Sequence, residues 1–170
     1  MLGKGLDDEA INCIVEQCYD GVLTYCRRHT ASAQDAQDVA QETFLRFVRN
    51  RARYNNEGKS MAYLLTIARN LCIDSARSRC ATPEDLGEEA IDPASQTEVA
   101  KAEERMDINA AIGLLPPDLQ EVLELRYGQD LPMDGIAKVL GISRFTVRRR
   151  LKAALERLEL LLGSEYGRQS

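Results

Sequence analysis

The chain has 170 residues, 44% of them hydrophobic and 29% charged, which is enough apolar content to fold. No apolar run approaches the ~20 residues that cross a bilayer, and the first residues, MLGKGLDDEA, lack the apolar centre of a signal peptide. Membrane insertion is therefore not expected, and the expected location is the cytoplasm. The net charge of −5 argues at first against a nucleic-acid partner, but residues 82–107 alone hold nine acids against two bases, a net −7, so the rest of the chain carries +2.

Residues 7–29 have Ile11, Ile14, Val15, Cys18, Val22 and Tyr25 on one stripe at helical spacing, with Gly21 as a soft point in the middle. Ser32 offers an N-cap, with Asp35 three residues on in a variant of the capping box. The helix that follows is expected to run to about Arg51. Val39, Phe44, Leu45 and Val48 are read as its apolar face, and Asp38, Gln41, Glu42 and Arg46 as its polar one. The stretch YNNEGKS, 54–60, is a loop rich in Asn and Gly. Ser60 opens a third helix to about Arg79, with Tyr63, Leu64, Ile67, Leu71 and Ile73 apolar. Asn70, Asp74 and Arg77 share another face of it, near Arg69 and Arg79.

From Cys80 to Pro93 the periodicity fails. Thr-Pro, Asp-Pro, a glycine and a run of acids predict an acidic linker over 81–94. Ser95 with Glu98 forms a capping box for a helix to about Leu114. Pro116 and Pro117 start another, ended by Gly128.

The stretch LPMDGIAKVLGISRFTVRRRLK, 131–152, predicts two helices joined by a tight turn. Ile136, Ala137, Val139 and Leu140 give the first an apolar face, Gly141 stops it and Ser143 caps the second. Gly135, inside the first helix, costs about 1 kcal/mol relative to Ala. Val147, Leu151, Ala154, Leu158 and Leu161 are the inner face of the second helix, with Phe145, Arg149 and Lys152 opposite and Thr146 and Arg148 on the flanks. This is the spacing of a helix-turn-helix, whose second helix enters the DNA major groove. Arginine grips guanine bidentately and Phe or Thr touches a thymine methyl. Further cations meet phosphates.

The fold class that follows is all-α: two small helical domains, 1–80 and 95–170, joined by a flexible acidic linker over 81–94. Cys13, Cys18, Cys26, Cys72 and Cys80 are expected as free thiols. Cys18, Cys26 and His29 match no tight metal-ligand spacing, so neither a metal nor any other cofactor is expected. No phosphate loop, nucleophile elbow or zinc motif marks an enzyme.

Two separated segments together resemble one family. DAQDVAQETFLRFVRN (35–50) with AYLLTIARNLCIDSARSR (62–79) resembles region 2 of sigma-70-type RNA polymerase initiation factors. LLPPDLQEVLELRYGQDLPMDGIAKVLGISRFTVRRRLKAALERL (114–158) resembles their region 4. Nothing between them resembles region 3, a layout similar to the extracytoplasmic-function (ECF) subfamily.

The resemblance implies a non-enzymatic sigma factor. It implies that Asp38, Gln41 and Glu42 dock on the beta-prime clamp helices of core RNA polymerase, with the beta flap as a further contact. It implies that Asn55, Asn56, Lys59, Ser60, Tyr63, Asn70, Asp74 and Arg77 meet the −10 promoter element. For the −35 element it implies Arg144, Phe145, Thr146, Arg148, Arg149, Arg150 and Lys152. An anti-sigma factor is a further implied partner. The sequence departs from the family where Tyr63 replaces a common Trp, where Pro132 replaces a usual Ser or Thr cap, and where Phe145 and Arg149 replace small residues. The competing reading is a conventional helix-turn-helix regulator with an N-terminal sensing or dimerising domain, which predicts a homodimer with its own operator.

Overall fold

The computed structural model describes residues 6–54, 58–81 and 102–166, with side chains described outside 102–107 and 164–166. The chain divides into two compact units, Met1–Ile91 and Asp92–Ser170. Among the described residues every regular element is helical.

The first unit packs three helices against one another: α1 (Asp8–His29), α2 (Ala33–Arg49) and α3 (Ser60–Cys80). The Ala10 N–H donates to the Asp7 carboxylate at 2.9 Å, which fixes the start of α1. The helix then runs unbroken through Gly21, because Ile11, Ile14, Cys18, Val22, Tyr25 and Cys26 bury one continuous stripe. Ser32 caps α2 as expected, its Oγ accepting from the Asp35 N–H at 3.1 Å. Thr43 lies wholly in the core, where its hydroxyl donates to the Val39 carbonyl and so leaves no unsatisfied polar atom. Arg51 reaches Asp8 at 3.1 Å and Arg79 reaches Asp35 at 3.0 Å, pinning helix ends on the surface.

Two apolar faces differ from expectation. In α2 the buried set is Ala36, Val39, Ala40, Thr43, Phe44 and Phe47, while Leu45 is 45% exposed. In α3 it is Ala62, Leu64, Leu65, Ala68 and Cys72, while Tyr63, Ile67, Leu71 and Ile73 are half-buried. The reason is the same in both. Small residues (Ala36 and Ala40 on one helix, Ala62 and Ala68 on the other) let neighbouring helices approach closely, and the direction of closest approach defines the core.

The second unit holds α4 (Ala102–Gly113), α5 (Pro117–Leu123), α6 (Met133–Leu140) and α7 (Arg144–Tyr166). The capping box at Ser95 and Glu98 and most of the linker lie outside the described residues. After Leu123 the helix widens into a π turn over Glu124–Gly128, closed by the Gln129 N–H on the Glu124 carbonyl. Arg126 then donates to the Leu131 carbonyl, and the Leu131 N–H reaches the Leu125 carbonyl, tying this segment to the start of α6. Leu119, Val122, Leu125, Ile136, Val139, Val147, Leu151 and Ala154 form the core. Gly135 is buried in α6.

Candidate nucleic-acid interface

The turn between α6 and α7 is built by three residues. Gly141 adopts φ 65° and ψ 34°, the left-handed conformation that glycine holds without a Cβ clash. The Ile142 N–H then returns to the Ala137 carbonyl at 3.1 Å, closing a Schellman motif. Ser143 accepts the Thr146 N–H at 3.1 Å and starts α7. Pro132, extended at φ −68°, precedes α6 without a side-chain cap bond, and Asp134 in its first turn suits the positive end of the helix.

This turn fixes which way α7 faces. Val147, Leu151 and Ala154 are buried, and Leu158 is half-buried beside them. Phe145, Arg149 and Lys152 point the opposite way and are exposed, Phe145 by 74%. Arg148 is exposed on one flank, and Thr146 is half-buried on the other. Arg144 pairs with Asp134 across the turn at 2.8 Å, and Lys152 lies 3.9 Å from Glu156. An exposed aromatic flanked by cations at the start of a rigid helix has the composition of a groove reader.

Arg150 is placed differently from the rest. It follows Val147 by three residues, so it leans about 60° from the core direction. Its side chain is only 29% exposed, and Nε lies 3.4 Å from Oδ2 of Asp118 on α5. Arg149, Arg150 and Arg157 share a shallow groove with Pro116, Asp118, Leu119 and Ala153. Three cations against one carboxylate make this groove basic. Arg157 was not singled out by sequence reasoning; the available signal was its spacing of seven residues from Arg150.

In the first unit, Asn70, Asp74 and Arg77 are exposed on the side of α3 opposite its core. Tyr63 lies on the same side, seven residues before Asn70, and is half-buried. Its ring packs on Tyr54, with centroids 5.0 Å apart, and both rings meet Phe47. Lys59 is exposed and Ser60 half-buried at the head of α3. Asn55 and Asn56 lie outside the described residues. Tyr54, which sequence reasoning missed, is buried, and its hydroxyl stands 2.9 Å from Ser60 Oγ. That hydrogen bond joins the two ends of the 54–60 loop. The signal in the sequence was an aromatic directly before the loop.

The outer face of α2 carries Asp38 and Gln41, both exposed, and Glu42, half-buried. Gln34 donates its amide to Asp38 at 3.0 Å. Arg46 donates to Glu42 at 2.8 Å, and that hydrogen bond first, with the charges of Arg46 and Arg49, holds the Glu42 carboxyl below its ordinary pKa despite some burial. Cys13 and Cys80 are exposed and Cys18, Cys26 and Cys72 buried, and none of the five forms a disulfide. Burial and the neighbouring Cys13 push the Cys18 thiol up, away from reactive thiolate.

The Sigma-70 region 2 family matches residues 14–81, and the Sigma-70, region 4 family matches residues 111–159. The ECF RNA polymerase sigma factor SigL of Mycobacterium tuberculosis is 33% identical over 142 residues, covering 81% of this chain and 80% of that one. The chain belongs to the ECF subfamily of sigma-70 factors. Some other relatives are longer. The probable RNA polymerase sigma factor RfaY of Xanthomonas campestris pv. campestris is 29% identical over 91% of this chain, which spans only 42% of it. The chain spans 61% and 58% of two further ECF relatives. Among solved structures, the sigma factor RpoE of Bartonella quintana, in complex with the anti-sigma factor NepR, shares the fold. Its TM-score is 0.70 at 20% identity, covering 89% of this chain and 96% of that one. Among the described residues of this ECF chain, no helix is long and apolar enough to cross a membrane.

Proposed function

We propose that the chain is a non-enzymatic specificity subunit that binds core RNA polymerase and directs it to promoters. The observation that carries this reading is the outward face of α7. Phe145, Arg149 and Lys152 stand exposed opposite a buried Val147–Leu151–Ala154 face, with Arg148 exposed on the flank, in the same chain as a region 2 unit. In this reading that face enters the major groove at the −35 element. The half-buried Arg150, with Arg157, approaches the backbone from the side. Asp38, Gln41 and Glu42 dock on the beta-prime clamp helices, and the second unit also meets the beta flap. The working compartment is then the cytoplasm, where polymerase and chromosome are. By analogy with the RpoE–NepR complex, an anti-sigma factor restrains it.

Size-exclusion chromatography of the purified chain with bacterial core polymerase tests the reading. Comigration, followed by promoter-dependent initiation, is expected. A homodimer that ignores polymerase and binds an operator by itself would establish the conventional regulator instead.

The −10 element is assigned to the 54–60 loop with Lys59, Ser60, Tyr63, Asn70, Asp74 and Arg77, and to Asn55 and Asn56 within that loop. Loop amides hydrogen-bond the edges of flipped bases, and an aromatic beside them stacks on the opened strand. Tyr54 is then a positioning residue. Tyr54→Phe removes one hydrogen bond, about 1 kcal/mol, and frees the two loop ends from each other. Permanganate reactivity of the opened strand is expected to fall while polymerase comigration stays unchanged. Undiminished opening would show that the loop holds its shape without the hydroxyl.

A further inference from the structure

The outer face of α2 carries one residue that packing does not explain. Successive residues advance 100° around a helix. Ala36, Ala40, Thr43 and Phe47 are buried and cluster in one direction. Leu45 points directly away from them, with Gln41 on one side and Asp38, Glu42 and Arg49 on the other. It contributes nothing to the core and is 45% exposed. A single exposed leucine is ordinary on any protein surface. This one is distinguished by its setting, because Asp38, Gln41, Glu42 and Arg49 surround it on that face and its one apolar neighbour there, Val48, is half-buried at the edge. The rim is also held in place, with Gln34 donating to Asp38 and Arg46 donating to Glu42.

An apolar centre within an ordered polar rim is the anatomy of an interface anchor. We infer that Leu45 is the apolar anchor of the α2 docking face, inserted as a knob between the side chains of a helical coiled-coil surface on core polymerase. The inference rests on the docking reading above and adds to it the residue that seats the contact. The chemistry of the face fits the partner named in that reading. Asp38 and Glu42 call for a basic rim, a straight helical ridge fits the groove between two helices, and one projecting isobutyl group calls for an apolar hole. Charge alone brings the surfaces together, whereas the knob sets where along the coiled coil they lock.

Salt separates the two contributions. Binding of the full chain to bacterial core polymerase is measured at 0.1 M and 0.5 M KCl for the wild type, Leu45→Ala, Leu45→Met and the charge reversal Asp38→Arg/Glu42→Arg. Leu45→Ala is expected to weaken binding by about 30-fold, the lower end of a hot-spot truncation. That ratio should be the same at both salt concentrations, because screening acts on charges. Leu45→Met, which keeps the volume, is expected to restore most of the affinity. The melting temperature of Leu45→Ala should stay within a degree or two of the wild type, since the side chain is 45% exposed and lies outside the core. Unchanged affinity of Leu45→Ala, beside a charge reversal that does lose binding, overturns the anchor and leaves the docking reading standing. Full binding by the charge reversal overturns the docking reading and the anchor with it. A fall of several degrees in melting temperature with normal binding overturns the anchor too, because Leu45 would then be packing within its own chain.

Discussion

Replacing Asp38 and Glu42 together with arginine is expected to abolish stable binding to core polymerase while the three-helix unit stays folded. Both residues lie on the side of α2 away from its core. Their contacts in the free chain are local: Asp38 with Gln34, and Glu42 with Arg46 one turn on. Losing an exposed i,i+4 pair and placing like charges there costs a few tenths of a kcal/mol. Truncating or reversing charges at a docked interface costs about 2–5 kcal/mol, a loss of roughly 30-fold to several thousand-fold. The interface term therefore exceeds the fold term by an order of magnitude. Circular dichroism and melting temperature should hardly move while comigration with polymerase disappears. A double variant that comigrates normally would remove the docking assignment. Because Arg46 and Arg49 keep Glu42 ionised below the ordinary carboxylate range, mild acidification alone should not reproduce the effect.

The helices were legible from periodicity and caps. Ser32, Gly141 and Ser143 each stand where the structure starts or stops an element, because a side-chain hydroxyl or a missing Cβ acts locally. The faces were less legible, because residue type marks what is apolar but not which way it points. Leu45 shares helical spacing with Val48, yet Ala36 and Ala40 set the contact direction and leave it outside. Ala62, Ala68 and Cys72 were overlooked in α3 for the complementary reason, since small residues carry little hydrophobic signal but define where helices touch. Arg150 read as one of a run of three arginines. Only its partner Asp118, 32 residues earlier in the chain, shows that its guanidinium leans aside. Tyr54 likewise draws its role from Ser60 across a loop, a relation that no local pattern encodes.

Arg149→Ala is expected to weaken recognition at particular −35 base pairs by about 1–3 kcal/mol, and Arg148→Ala to weaken binding more evenly across sequences. The difference follows from direction. Arg149 projects from the side of α7 opposite Val147 and Leu151, flanked by Phe145 and Lys152, so a helix seated in the major groove presents it to base edges. Arginine there can take O6 and N7 of a guanine together, and loss of that bidentate pair removes discrimination as well as affinity. Arg148 lies on the flank, where the groove wall offers phosphates, and its loss should flatten the salt dependence by about one ion. Arg150 gives an internal control. Its ion pair with Asp118 is partly exposed and contributes at most about 1 kcal/mol to stability. Arg150→Ala should therefore lower the melting temperature slightly and weaken all duplexes alike. Titrating the holoenzyme with a set of −35 duplexes, each with one base pair changed, separates the three variants. If Arg149→Ala keeps the wild-type order of base preferences, the groove is read by another residue on this face, and Phe145 is the one whose exposure points to it.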